Sequence, residues 1–274
     1  MPLSPDSSTT STPRPAVLVT GGATRIGAAI TRRFAAAGWH TVIHYKSSAN
    51  AAEALAATLP SAAVIGFDLA DDEAAVAAVT ELAARLPGWR CLVNSASVFD
   101  YDSVTGLDPA TNRAAMQINA LAPARLAQAF LALTAGHDAV RAVINVTDMK
   151  IENANPDFFS YTMSKHALAA TIGMLAKGNF EGPNGAGNVR AYGLAPGAVL
   201  ASHDQREEET EISHRMNLLG RKTGPDEIAE AALFLAGGAL ASGQSLFIDS
   251  GQHLLDQPRD VIWLARDGAG GDKE

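Results

Sequence analysis

The sequence predicts an α/β fold, a single domain on a doubly wound, parallel, seven-stranded sheet with helices on both faces. Three observations carry this expectation. Short apolar runs of strand character alternate along the chain with Ala-rich stretches of high intrinsic helix propensity. Alternation of this kind needs crossover connections, and therefore parallel strands covered on both sides. A glycine-rich turn stands between the first strand-like run and the helix after it. No internal repeat interrupts the pattern.

The elements follow in order. Residues 1–14, from Met1 to Arg14, are rich in Ser, Thr and Pro and read as a disordered leader. The first strand, expected over 16–20, holds Ala16-Val17-Leu18-Val19, and Thr20-Gly21-Gly22-Ala23-Thr24-Arg25-Ile26-Gly27 follows at once. Ala28 to Gly38 reads as a helix, with Ile30 and Phe34 on one stripe and Gly38 as its stop signal. Strand, turn and helix N-terminus together make a phosphate cradle. Glycines let backbone N–H groups approach a pyrophosphate, and the helix dipole favours its charge. A tight turn without a ligand is the alternative for this segment alone.

The second strand, over 41–45, reads Thr41-Val42-Ile43-His44-Tyr45 and runs into Lys46, Ser47 and Ser48. Sites for NAD usually carry a carboxylate here for the ribose 2′-hydroxyl. A 2′-phosphate is repelled by one and needs cations or hydroxyls. With no carboxylate at this strand end, and Arg25 as a second cation in the turn, the expected cofactor is NADPH. Solvated surface charges remain the alternative for Lys46 and Arg25. Further strands are expected over 62–67, 90–94, 141–147, 188–193 and 245–248. The domain spans 15–266, and 267–274 reads as a flexible Gly/Asp tail.

Composition bounds the function. The 274 residues are enough to bury a substantial core, and 47% are hydrophobic. The net charge of −8 and the lack of a basic stripe argue against nucleic acid or an anionic membrane surface as partner. No apolar run approaches the length of a membrane span. The lone Cys91, in Cys91-Leu92-Val93, reads as a buried thiol, and a reducing cytoplasm is the expected compartment. The seven histidines are scattered, so no metal site is expected.

Chemistry concentrates in Ser160-Tyr161-Thr162-Met163-Ser164-Lys165. Four residues are about one helical turn, so Tyr161 and Lys165 share a face. A nearby ammonium favours phenolate, lowering a tyrosine toward a range where it can give and recover a proton. The spacing alone also fits an amphipathic tyrosine and a snorkelling lysine.

Together with the glycine turn, this motif resembles the short-chain dehydrogenase/reductase family over about residues 15–252. The markers stand in the family's order: Gly21 and Gly27, Asp68-Leu69, Asn94-Ser95-Ala96-Ser97, Asn119 with Ala122-Pro123 after it, Tyr161 and Lys165, then Pro196-Gly197. The resemblance implies a Rossmann-type dinucleotide site. Its cofactor-binding residues are Gly21, Arg25, Ile26, Gly27, His44, Tyr45, Lys46, Ser47, Ser48, Asp68, Leu69, Asn94, Ser95, Ala96, Lys165, Pro196 and Gly197. Asp68 and Leu69 stand where the family contacts adenine. Tyr161 donates a proton, Lys165 holds the nicotinamide ribose and lowers the tyrosine, and Asn119 shapes a helix and a water path toward Lys165.

Three departures narrow the resemblance. Arg25 stands where most members have a glycine, Asn94-Ser95-Ala96-Ser97 where they have Asn-Asn-Ala-Gly, and Asp148 where they have a catalytic serine. All three, with His44-Tyr45-Lys46-Ser47-Ser48 and Phe99, are similar to the pteridine reductases and dihydromonapterin reductases. That subgroup stacks a pterin between an aromatic ring and the nicotinamide, a position that falls to Phe99 here, and Ser97 would touch cofactor phosphate or pterin. A carboxylate at Asp148 cannot donate a hydrogen bond unless protonated. It suits a substrate that is itself a donor, or a ring nitrogen that must receive a proton. A structural cap at the strand end is the alternative for Asp148.

The expected activity is therefore NADPH-dependent reduction of a 7,8-dihydropterin, of the dihydromonapterin or dihydrobiopterin type and extending to dihydrofolate. Catalysis falls to Asp148, Tyr161, Lys165 and Asn119, and substrate binding to Ser97, Phe99, Asp148 and Tyr161. Alternatives are reduction of another carbonyl or imine, and a non-catalytic NADPH-binding regulator. Family members assemble on the long helices around Asn119 and Tyr161, which implies a homotetramer. Lys150 to Phe159 should border the substrate pocket. Within Ala198 to Met216, a lid in the family, Glu207-Glu208-Glu209 reads as a solvated helix face, and His203 and Asp204 as surface residues.

Overall fold

The computed structural model of the chain describes residues 13–132, 139–178, 188–202 and 205–270. The strands are β1 (Ala16–Thr20), β2 (His40–Tyr45), β3 (Ala62–Gly66), β4 (Trp89–Asn94), β5 (Arg141–Val146), β6 (Val189–Pro196) and β7 (Ser245–Ile248). The helices are α1 (Arg25–Ala36), α2 (Ala49–Ala57), α3 (Asp72–Arg85), α4 (Pro109–Met116), α5 (Ala122–Ala132), α6 (Phe159–Gly178), α7 (Glu207–Ser213), α8 (Pro225–Ala236) and α9 (Val261–Gly270). A π-helical turn, Gln117–Leu121, joins α4 to α5. Short 3₁₀ turns cover Met149–Ile151 and Gln252–Leu254.

All pairings in the seven-stranded sheet are parallel, in the order β3-β2-β1-β4-β5-β6-β7. Successive side chains of a strand point to opposite faces, so odd and even positions must both be apolar here. Val17, Val19, Cys91, Val93, Ala142 and Ile144 pack with Ile30 and Phe34 of α1 and Ile228 and Leu235 of α8. Their alternates Leu18, Leu92 and Val143 pack with Val79 and Leu82 of α3 and Leu126 and Phe130 of α5. The two-sided burial explains why the strands read as continuous apolar runs.

Several ends differ from expectation. Strand β6 runs on to Pro196, past the expected end at 193, because Pro196 pairs with Ile248 on β7. Helix α1 begins at Arg25, ahead of Ala28, since the glycine turn winds directly into it: the Ala28 N–H already donates to the Thr24 carbonyl at 3.0 Å. Arg25 holds a left-handed φ of 52°, a conformation that favours glycine. The expected flexible tail at 267–274 needs correction. Helix α9 continues to Gly270 because Asp260 caps its start, accepting from the Ile262 N–H at 3.0 Å, while Val261, Ile262 and Ala265 are buried. Residues 271–274 and most of the expected leader, 1–12, lie outside the described residues. Among the described residues, no helix is long and apolar enough to cross a membrane.

Strand order reverses between β1 and β4, and the glycine turn hangs over that crevice. His44 braces it. The Gly21 N–H donates to His44 Nδ1 at 3.1 Å, so the ring proton sits on Nε2, 3.0 Å from the Phe67 carbonyl oxygen. Burial pushes the imidazole down to about 4, against the upward pull of that carbonyl and of Asp68. A histidine held neutral in the fold stabilises it above the unfolded value of 6.5, and this contribution is lost as pH falls through about 4. The full loss is about 3 kcal/mol. Thermal unfolding of the wild type should therefore steepen with acidification from pH 6.5 to 4 relative to His44→Gln. Identical pH slopes would remove His44 as the brace.

Candidate active site

The carboxyl ends of the strands open into a cleft of about 720 Å³ that runs from the glycine turn to the start of α9. Of the expected catalytic, cofactor-binding and substrate-binding residues, all but Asn94 and Asn119 line it. The turn itself is compressed. Gly21 has φ +62°, and a Cβ on Gly27 would meet the Gly21 carbonyl oxygen at 2.2 Å. Thr20, missed in the sequence, holds the opposite wall, because its hydroxyl accepts from the Ser95 and Ala96 N–H groups at 2.9 and 3.1 Å.

Cations and hydroxyls gather at the adenosine end expected from the sequence. Arg25, Lys46, Ser47 and Ser48 all line the cleft, a donor set suited to a dinucleotide bearing a 2′-phosphate. The Lys46 ammonium lies 2.9 Å from Asp68, a carboxylate that the loop after β3 brings alongside β2. The Ala70 N–H, then Lys46, hold the Asp68 carboxyl below its ordinary value. His44 lines the cleft, and both its ring nitrogens are engaged by the protein, so it also acts as a strut. Arg25 donates through Nη2 to the Leu200 carbonyl at 3.3 Å, linking the glycine turn to the segment after β6.

Asn94 and Asn119 are buried struts. Asn94 Nδ2 donates to Asn145 Oδ1 at 2.9 Å and to the Pro123 carbonyl at 3.3 Å, tying β4 to β5 and α5. Asn119 sits on the π-helical turn with 0% exposure. Its Oδ1 accepts from the Val98 N–H at 2.9 Å, and its Nδ2 donates to the Val98 carbonyl and to Ser164 Oγ, each at 3.0 Å. Its amide is committed to the loop after β4 and to α6, so it ties the two together without lining the cleft. The Ser97 hydroxyl points inward to Asn119 Oδ1 at 3.1 Å.

At the nicotinamide end, α6 presents Tyr161 and Lys165. Asp102 fixes the start of that helix by accepting from the Ser160 N–H at 2.8 Å and the Ser160 hydroxyl at 2.5 Å. The Tyr161 hydroxyl donates to Asp148 Oδ2 at 2.7 Å. Asp148 Oδ1 accepts from the Lys150 N–H at 2.9 Å, capping the turn Met149–Ile151. One oxygen of Asp148 thus caps the turn, and the other faces the Tyr161 hydroxyl.

The electrostatics correct one expectation. Lys165 was expected to lower Tyr161, yet Tyr161 stands well above its ordinary value, through burial first and then the Asp148 carboxylate at its hydroxyl. Burial also raises Asp148, against the opposing pull of Lys150. Lys165 is itself pushed down to about 8 by burial. Its Nζ donates to the Val146 carbonyl at 2.9 Å and lies 5.5 Å from the Tyr161 ring centroid. Desolvation dominates because all three groups share one dry pocket.

Phe99 lines the cleft with one face stacked on Phe158, centroids 4.0 Å apart, and stands edge-on to Tyr161 at 4.6 Å. The wall beyond it joins Lys150, from the stretch expected to border the pocket, with Asp260, Val261 and Ile262, which the sequence did not reveal. The Asp before an apolar run is a readable helix start, but its place over the cleft is tertiary. Glu207 and Glu208 are exposed as expected, whereas Glu209 is buried against Arg206 and Arg266 because it caps α7. His203 and Asp204 lie outside the described residues. Among the described residues no cluster of His, Cys, Asp and Glu could hold a metal.

Comparison with known proteins agrees with this geometry. The family model for enoyl-(acyl carrier protein) reductase matches residues 21–253. A dihydromonapterin reductase of Citrobacter koseri is 25% identical over 239 residues, 87% of this chain and 96% of the relative. A galactitol 2-dehydrogenase (L-tagatose-forming) of Cereibacter sphaeroides is 35% identical over 248 residues, 85% and 92% of the two chains. The crystal structure of FolM alternative dihydrofolate reductase 1 from Brucella canis, complexed with NADP, superposes with a TM-score of 0.80. It is 32% identical, with 90% of this chain and 96% of that one covered. The chain therefore belongs to the short-chain dehydrogenase/reductase family and is an oxidoreductase.

Proposed function

We propose that this protein reduces 7,8-dihydropterins, of the dihydromonapterin or dihydrobiopterin type and including dihydrofolate, with NADPH. The observation that carries the reading is the buried Asp148–Tyr161 hydrogen bond of 2.7 Å, beside Lys165 and under Phe99. Reducing the C=N bond of a dihydropterin takes a hydride at carbon and a proton at nitrogen. NADPH, when bound, supplies the hydride. The protein's task is the proton. Burial favours the neutral, proton-bearing forms of both Asp148 and Tyr161, so the pair is an acid facing the cleft. Asp148 gives its proton to the ring nitrogen, and Tyr161 steadies the carboxylate left behind. Lys165 holds the nicotinamide ribose, and Phe99 offers the pterin a flat apolar wall on the side away from Phe158. The dihydromonapterin reductase and FolM relatives support this substrate class, and the FolM complex with NADP supports the cofactor.

Lys46 and Arg25 would bind the 2′-phosphate. The exposed Lys46–Asp68 pair is worth ~0–1 kcal/mol, which a dianionic phosphate can outcompete. The protein would assemble as a homotetramer, a reading supported by Leu121, Met163 and Met174 standing exposed on and beside the long helix α6. Light scattering that returns a monomer would end that reading.

The test of function is NADPH oxidation with dihydromonapterin, dihydrobiopterin, dihydrofolate and a simple diketone side by side. Turnover is expected with the pterins. Turnover of the diketone alone would favour reduction of another carbonyl, toward which the galactitol dehydrogenase relative leans. Asp148→Ser should lower pterin turnover at least ~10²-fold with NADPH affinity kept; unchanged turnover would end the role given to Asp148. Lys46→Glu should raise the NADPH KM ~10-fold or more, far beyond its effect on NADH. Equal effects on both would remove the 2′-phosphate contact.

A further inference from the structure

A second charged pair closes the substrate end of the cleft, next to Asp148 but outside the Tyr-Lys motif. Lys150 Nζ lies 2.8 Å from Asp260 Oδ2, and the side chains are 4% and 8% exposed. The same ammonium donates to Asn155 Oδ1 at 2.9 Å. Asp260 cannot swing away easily. Its Oδ1 accepts from the Ile262 N–H, and its own N–H donates to Asp157 Oδ2 at 2.9 Å. Asp157 is in turn gripped by Arg259 through two bonds of 2.7 and 2.9 Å.

Lys150 stands two residues after Asp148 and touches it through its backbone, with the N–H donating to Asp148 Oδ1 at 2.9 Å. One buried ammonium thus serves two carboxylates. It is hydrogen-bonded to Asp260 on the last helix segment and acts on Asp148 through space. In a dry site such a charge is poorly screened. The charged and titratable groups around Asp148 are Lys150 on its own turn, Tyr161 and Lys165 on α6, and Asp260 on the segment that opens α9. Asp157 and Arg259 stand behind Asp260.

We propose that Lys150, clamped by Asp260, is a positioning residue that sets the proton occupancy of the Asp148–Tyr161 pair. The C-terminal segment thereby becomes part of the acid that protonates the substrate. This rests on the reading of Asp148 as proton donor. Asp260 draws the ammonium toward itself, which weakens its hold on ionised Asp148 and keeps the proton available. Without the ammonium Asp148 would hold its proton more tightly. Without the Asp260 charge it would lose its proton more readily. A structural role would instead impair both variants in the same way.

The test uses the full chain without cofactor, so it does not depend on which substrate is turned over. Infrared difference spectra across pH, assigned with Asp148→Asn, report the protonated carboxyl of Asp148. At the pH where half of the wild-type Asp148 is protonated, Lys150→Met should raise the ratio of protonated to ionised carboxyl about tenfold, and Asp260→Asn should lower it. Lys150→Arg should restore the wild-type ratio. With dihydromonapterin, the alkaline limb of kcat should move in the same two directions. If both variants move the ratio the same way, or neither moves it, the proposal fails. Should Lys150→Met not fold, the near-isosteric Asp260→Asn decides alone: a lowered ratio supports the proposal and an unmoved or raised one overturns it. Absence of pterin turnover in the wild type would instead sink the substrate reading and leave the infrared result to judge Lys150 and Asp260.

Discussion

Parallel strands must return by crossovers, and where successive crossovers leave on opposite faces the sheet parts its connections and leaves a crevice. In this protein the parting lies between β1 and β4. Everything functional is arranged around it. The glycine turn leaves β1 there, and the loop carrying Ser95 to Phe99 leaves β4. The Thr20 hydroxyl ties the two together across the gap. Helix α6 reaches the same crevice from the far side, with Asp102 holding its first turn and Asn119 bracing it against the β4 loop. The reacting groups therefore rest on rigid elements.

Dryness is the second constraint. A phenol, a carboxyl and two ammonium groups lie in one pocket, and each pays for burial by moving toward its neutral form or by finding a partner. Tyr161 and Asp148 find each other. Lys165 finds the Val146 carbonyl, and Lys150 finds Asp260 and Asn155. Burial is therefore what couples these groups to one another, and Asp260 at the start of α9 takes part through Lys150.

Much of the site was legible because it rests on local chemistry. Gly21 and Gly27 are demanded by a turn too tight for a Cβ, and Tyr161 and Lys165 share a face by helical periodicity alone. The apolar runs marked the strands because both faces of each are covered. Where sequence reading fell short, the cause was a partner distant along the chain. The Asp68 partner of Lys46 appears only when the loop after β3 brings it alongside. The bracing by both nitrogens of His44 likewise depends on the glycine turn and Phe67, distant in sequence. The stretch from residue 267 looked like a flexible tail because its composition hides the capped, half-apolar helix that begins at Val261.

What the sequence determined by itself was the fold class, the crevice and the shared face of Tyr161 and Lys165, since these follow from periodicity, turn stereochemistry and short spacings. The tertiary structure decided how those groups behave. The direction of the Tyr161 shift is set by burial first and then by the Asp148 carboxylate, hence by desolvation and by distances across elements. Likewise, the wall formed by Lys150 and Asp260 exists only once the start of α9 is brought to the turn after β5. Electrostatic effects fall off with distance and grow with burial, and neither quantity is written in the order of residues.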